Sequence, residues 1–105
     1  IQYRQARDWV LTNTTADDIV IVDNSLWFDL VIAGRPRKNI VWYQKPNTDT
    51  EVDSYLANGW RDIDYVVLTL PLRETYRQRV TTSDALDHAT LVVQFDELAV
   101  YKVNR

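Results

Sequence analysis

Five side chains of complementary chemistry follow closely on apolar segments of this 105-residue chain: Asp23, Asn24 and Trp27 after Ile19–Val22, Lys45 after Ile40–Tyr43, and Arg73 after Tyr65–Leu68. A carboxylate, an amide, an indole and two cations suit a sugar or a sugar phosphate. Hydroxyls take hydrogen bonds, the ring stacks on a flat aromatic, and cations meet phosphate or carboxylate groups. A plainer use competes: Asp23 and Asn24 serve a helix start while Trp27 fills a core. No catalytic residue can be named beside them. There is no Cys, so thiolate nucleophiles, disulfides and thiolate metal sites are excluded. The one histidine, His88, has Asp84 four residues before it, a spacing that reads as a helix-surface contact.

Nucleotide and phosphoacceptor chemistry is disfavoured by what the strand ends lack. A phosphate-cradling loop needs glycines where backbone amides approach the ligand, and Val22-Asp23-Asn24-Ser25-Leu26 has none. A phosphoacceptor site of the receiver kind would need an acid closing the third strand, where Thr69-Leu70-Pro71 stands. Neither a cofactor nor a metal is therefore expected. Asp17/Asp18 and Asp62/Asp64 flank strand starts and read as solvated turns. Arg73 and Arg77, on one face of a helix, could with Arg79 recognise phosphate or carboxylate groups; the plainer reading is an exposed polar helix with Glu74 as partner. A net charge of −3 disfavours nucleic acid, which asks for a basic surface.

The elements that must position these groups follow from periodicity. Tyr3, Ala6, Trp9 and Val10 repeat at helical spacing, which predicts a helix over Gln2–Asn13. Ile19–Asp23 is a β-branched run without alternation, the pattern of a strand buried on both faces. A helix capped by Asn24 or Ser25 carries Leu26, Trp27, Leu30 and Val31 and stops at Gly34. The basic connector Arg35–Lys38 leads into a second strand, Asn39–Gln44. Thr48 and Glu51 have capping-box spacing before a helix over Asp49–Ala57, which Asn58-Gly59 ends. Asp64–Thr69 is the third strand, and Pro71 turns the chain. Short helices over Leu72–Arg79 and from Thr82 or Ser83 through Ala89 precede a hairpin, Thr90–Phe95 and Leu98–Val103, turning at Asp96-Glu97.

This alternation predicts one α/β domain over residues 1–105: a three-layer αβα, Rossmann-like, mostly parallel sheet of about five strands closed by a C-terminal antiparallel β-hairpin. The last strand of that hairpin is expected at an edge. The longest apolar runs fall far short of the ~20 residues that span a bilayer. There is no Met, and Ile1 opens directly into a helical pattern, so the chain is expected to be a fragment of a larger protein.

Ala6-x-x-Trp9-Val10, Ile19–Asp23, Leu26-Trp27-Phe28-Asp29-Leu30-Val31-x-x-Gly34, Asn58-Gly59-Trp60 and Asp64-Tyr65-Val66-Val67 together resemble the C-terminal soluble domain of bacterial polytopic glycosyltransferases. These are related to the protein-mannosyltransferase and aminoarabinose-transferase superfamily, glycosyltransferase family 39. The resemblance runs from about residue 4 to residue 103 and rests on packing motifs. It implies a domain at the extracytoplasmic face of the cell membrane, part of a polytopic enzyme that uses a polyprenyl-phosphate-linked sugar. The catalytic acid of such enzymes is thought to lie on a loop between the first membrane helices, so no catalytic residue carries over to this chain. The implied role is non-catalytic, assisting substrate or acceptor binding. The implied partners are a lipid-linked sugar or acceptor and the rest of the membrane-embedded chain, with Asp23, Asn24, Trp27, Lys45 and Arg73 as substrate-binding candidates. The alternative is a protein- or membrane-surface interaction module, docking through the outer face of the first helix or through Arg35–Lys38.

Overall fold

The computed structural model describes residues 2–43, 45–46 and 49–104, with Gln2 and Pro71 described by backbone alone. The elements run α1 (Gln2–Asn13), β1 (Val20–Val22), α2 (Asn24–Ile32), β2 (Ile40–Trp42), α3 (Thr50–Tyr55), β3 (Tyr65–Leu68), α4 (Leu70–Thr75), α5 (Val80–Asp87), β4 (Ala89–Phe95) and β5 (Leu98–Val103). Single 3-10 turns cover Gly59–Asp62 and Tyr76–Gln78. The architecture is mixed α/β around one five-stranded sheet of order β2-β1-β3-β5-β4.

The sheet is half parallel and half antiparallel. β1 pairs parallel with β2 and β3, while β5 pairs antiparallel with both β3 and β4. This corrects two expectations, a mostly parallel sheet and a last strand at its edge. Burial explains both. Leu98, Ala99, Val100 and Val103 of β5 are buried, whereas Leu91 and Val92 of β4 are 46% and 43% exposed. β5, paired on both sides, takes the inner position and leaves β4 outside.

Alternate strand residues feed two apolar clusters. Val20, Val22, Ile40, Val67, Leu98 and Val100 join Ala6 and Val10 of α1 and Leu26 and Leu30 of α2. Ile21, Val41, Val66, Leu68, Ala99 and Val103 join Leu56, Ile63, Leu72 of α4 and Ala85 of α5. Because successive side chains of a strand point to opposite faces, each cluster belongs to one face of the sheet. The register shift between Leu91 and Val93 lets Val93 and Phe95 of β4 pack on the first cluster and Ala89 on the second.

Several helix starts differ from expectation. Asp23, not Asn24 or Ser25, caps α2: its carboxylate accepts the Leu26 N–H at 2.9 Å. Asp49 caps α3 by accepting from Glu51 and Val52 at 2.9 and 3.3 Å. Thr48, the expected cap, and Gln44, the expected strand end, lie outside the described residues. Pro71 sits in the first turn of α4, where its missing N–H costs nothing, so the helix begins before it. In α5 the position before the helix falls to Arg79, and Thr82 is buried inside it. Gly34 and Gly59 take positive φ of 105° and 64° at chain reversals, as does Asp96 (56°) in the β4–β5 turn.

Candidate groove along the β2 edge

The winding of the sheet reverses at β1, since β2 lies on one side of it and β3 on the other. Ligands commonly sit at the carboxyl ends of such strands. Here that point is occupied by the chain itself. The Tyr3 hydroxyl, from α1, donates to Asp23 Oδ2 at 2.7 Å, and Asp23 is only 4% exposed. Burial, then the hydrogen bond to Asp23 and its charge, push the Tyr3 phenol up to about 12. Thr69, closing β3, is also buried, with its side chain beside the Tyr3 hydroxyl. Asp23 is thus a structural group.

The accessible concavity lies beside it, along the free edge of β2. A groove of about 440 Å³ is floored by Ile40, Val41 and Trp42 and walled by Asn24 and Trp27 of α2 and by Val52 and Tyr55 of α3. Arg37 and Lys38 line it before β2, and Lys45, Asp49 and Glu51 after it. Three of the five predicted site residues, Asn24, Trp27 and Lys45, therefore converge on one groove. Arg73 does not line it: its guanidinium donates to the Glu97 carbonyl at 2.6 Å in the β4–β5 turn.

The polar balance of the groove is uneven. Its acids are engaged by the chain. Asp49 caps α3 and pairs with Lys45 Nζ at 3.3 Å. The Val52 amide first, and then the bond to Lys45, hold its carboxyl below the usual carboxylate range. Glu51 accepts from the Tyr55 hydroxyl at 2.6 Å, a bond that raises the Tyr55 phenol. The donors are less occupied. Trp42 Nε1 is buried with no acceptor among the described residues. Arg37 and Lys38 form no ion pair among the described residues, although Arg37 lies 5.8 Å from the centroid of the Trp27 ring. Lys45 sits at the same distance from the Trp42 ring. A groove with spare donors and two indoles favours a ligand rich in oxygen acceptors.

Trp42, Arg37, Asp49 and Tyr55 were not among the sequence-derived site residues. The available signal was the basic connector Arg35–Lys38 running into an aromatic strand end, Trp42-Tyr43. Arg35 itself is committed elsewhere. Its guanidinium reaches the carbonyls of Thr14 and Thr15 at 2.8 and 2.7 Å, and those of Val10 and Leu11 at 3.3 Å, closing the C-terminus of α1.

The remaining clusters resolve locally. Asp64 is not a solvated turn residue: it accepts the Ile19 N–H at 2.8 Å and joins β1 to β3. His88 Nδ1 lies 2.9 Å from the Asp84 carbonyl, not its carboxylate, and the ring stacks on Trp60 at 3.9 Å. Arg77 pairs with Asp87 at 2.8 Å and not with Glu74. Among the described residues no group of three or more His, Cys, Asp or Glu side chains is placed to hold a metal, and no helix is long and apolar enough to cross a membrane. Comparison with protein-family models, curated proteins and solved structures returns no match to this chain.

Proposed function

We propose that this chain is a non-catalytic sugar-binding domain of a membrane glycosyltransferase that uses a polyprenyl-phosphate-linked sugar, and that it works at the extracytoplasmic face of the membrane. In this reading the two apolar clusters and the parallel β2-β1-β3 block form a three-layer αβα, Rossmann-like domain. The remainder of the membrane-embedded chain supplies the chemistry. The observation that carries the binding role is the groove along β2, where the acids are satisfied internally while Arg37, Lys38 and two indoles line the cavity. A sugar ring stacks on Trp27 or Trp42, its hydroxyls accept from Asn24, and an attached phosphate meets Arg37, Lys38 and Lys45. Donor head group and acceptor share this chemistry.

Titration of the labelled domain with neutral sugars, sugar phosphates and a short polyprenyl phosphate, followed by NMR chemical-shift perturbation, tests the reading. The expected result is a shift of the Trp42 indole N–H and of the Asn24 side-chain amide, larger for the phosphorylated ligands. Shifts confined to β4, or none with any ligand, would overturn it. Trp42→Ala removes the aromatic face on which a ring stacks and is expected to weaken binding about fivefold, the worth of one such contact.

A further inference from the structure

On the outer side of α2, Phe28 and Ile32 are 57% and 72% exposed. They stand four residues apart in one helix, so they form a single apolar stripe. The stripe is continuous with positive charge. The Phe28 ring meets Trp27 edge-on at 6.1 Å, and the Arg37 guanidinium lies over Trp27 at 5.8 Å, with the exposed Lys38 next in the chain. Neither cation forms an ion pair among the described residues. Asp29, beside Phe28, is the acid on α2, and it is half-buried.

We propose that this face of α2, with Arg37 and Lys38, docks on a bilayer bearing anionic headgroups. The occupant is set by charge and shape. An aromatic and an aliphatic side chain on one helix stripe enter the boundary between headgroups and acyl chains, while flanking cations meet lipid phosphates. A second copy seated symmetrically on the same face would bring two Arg37/Lys38 pairs into one interface with only the half-buried Asp29 of α2 as a nearby acid, which disfavours a dimer there. The chain as a whole carries −3, so these cations are a local departure and not part of a general basic surface. Two apolar anchors and two cations give shallow, reversible attachment. The apolar anchors are separate from the groove, because Phe28 and Ile32 do not line it, whereas Arg37 and Lys38 are shared with it, so the Phe28/Ile32 pair carries the distinguishing test.

The test is co-sedimentation with phosphatidylcholine vesicles, with and without about a third phosphatidylglycerol. The wild-type chain is expected to partition onto the anionic vesicles, and added salt should release it. Phe28→Ser/Ile32→Ser should lower the partition coefficient about tenfold or more, and Arg37→Glu/Lys38→Glu by at least as much. Thermal melts of both variants matching wild type establish that the fold is intact, since all four side chains are exposed. Equal retention on neutral and anionic vesicles, no retention on either, or unchanged partitioning of Phe28→Ser/Ile32→Ser would overturn the proposal. So would a concentration-dependent dimer that Phe28→Ser/Ile32→Ser abolishes, which would assign the stripe to a second copy. An intact indole shift of Trp42 with sugar phosphate in the Phe28/Ile32 variant would separate this result from the fate of the groove.

Discussion

Helices α1 and α2, on one face of the sheet, are tied down by side-chain bonds that are largely part-buried, whereas α3, α4 and α5 on the other face depend on apolar contacts and on polar bonds exposed to water. Arg35 closes α1 from 20 or more residues away, and Tyr3 reaches Asp23 at the start of α2. Opposite them, α4 and α5 begin without side-chain caps. Two of their described polar ties, Arg73 to the Glu97 carbonyl and Arg77 to Asp87, are exposed to water. Thr82 and Arg79 each keep a buried polar atom without a partner among the described residues. Both faces bury similar apolar side chains, so the difference lies in polar closure. A face whose helix ends are satisfied opens as one unit, while short, uncapped helices open locally at lower cost.

The largest expected effect tests that difference directly. Leu26 and Leu72 are both fully buried, one on each face. Truncation to Ala costs about 2–5 kcal/mol at such sites, depending on how far the surroundings collapse into the space. Leu26→Ala is expected near the upper end, because α2 is fixed at both ends. Leu72→Ala is expected near the lower end, because α4 can shift. Urea denaturation of the two variants reads the difference, and a greater loss from Leu72→Ala would break the comparison.

A smaller effect sharpens it through pH. The Tyr3 phenol is the native form and its folded pKa, about 12, stands above the ordinary 10. Its contribution is therefore complete below about pH 10 and is lost as pH rises from there towards 12. Ionisation would set a phenolate against the buried Asp23 carboxylate, a repulsion in a poorly solvated place. Tyr3→Phe is expected to cost about 1–2 kcal/mol near neutrality, the value of a part-buried hydrogen bond to a charged acceptor. The variant should then lose less further stability than wild type between pH 10 and 12. Parallel stability profiles of the two proteins over that range would refute the role given to this bond.

How far the fold was legible obeys the same division. Ile19–Asp23 and Asp64–Thr69 could be read as strands because a β-branched run without alternation has few other homes. The helix Gln2–Asn13 is recovered with the predicted bounds because its apolar period is unbroken. The hairpin was visible, but not which of its strands lies inside, since that depends on long-range burial that neither strand encodes alone. The candidate site was half legible. Asn24, Trp27 and Lys45 were found because each stands just past the carboxyl end of a strand or in the helix that leaves it. Asp23 lies outside the groove because Tyr3, 20 residues earlier, folds onto it, a contact of which periodicity says nothing. Trp42 and Arg37 were missed because β2 had first to be known as an edge before its flank could be a groove.

The smallest expected effect has the opposite sign and bears on the α4/α5 face alone. Thr82 is fully buried in α5, and its Oγ1 has no hydrogen-bond partner among the described residues. A hydroxyl in that state has given up water and gained nothing, so its removal returns part of a desolvation penalty of about 1–3 kcal/mol. Thr82→Val exchanges the hydroxyl for a methyl of nearly the same shape and keeps the β-branch, so helix propensity hardly changes. Against that gain stands only the slightly larger methyl, in a face that can adjust. The net expectation is a stabilisation of about 1 kcal/mol, read as a raised urea midpoint with an unchanged slope. If Thr82→Val instead destabilises, the hydroxyl has a partner in solution, and the contrast between a polar-closed face and an open one loses one of its supports.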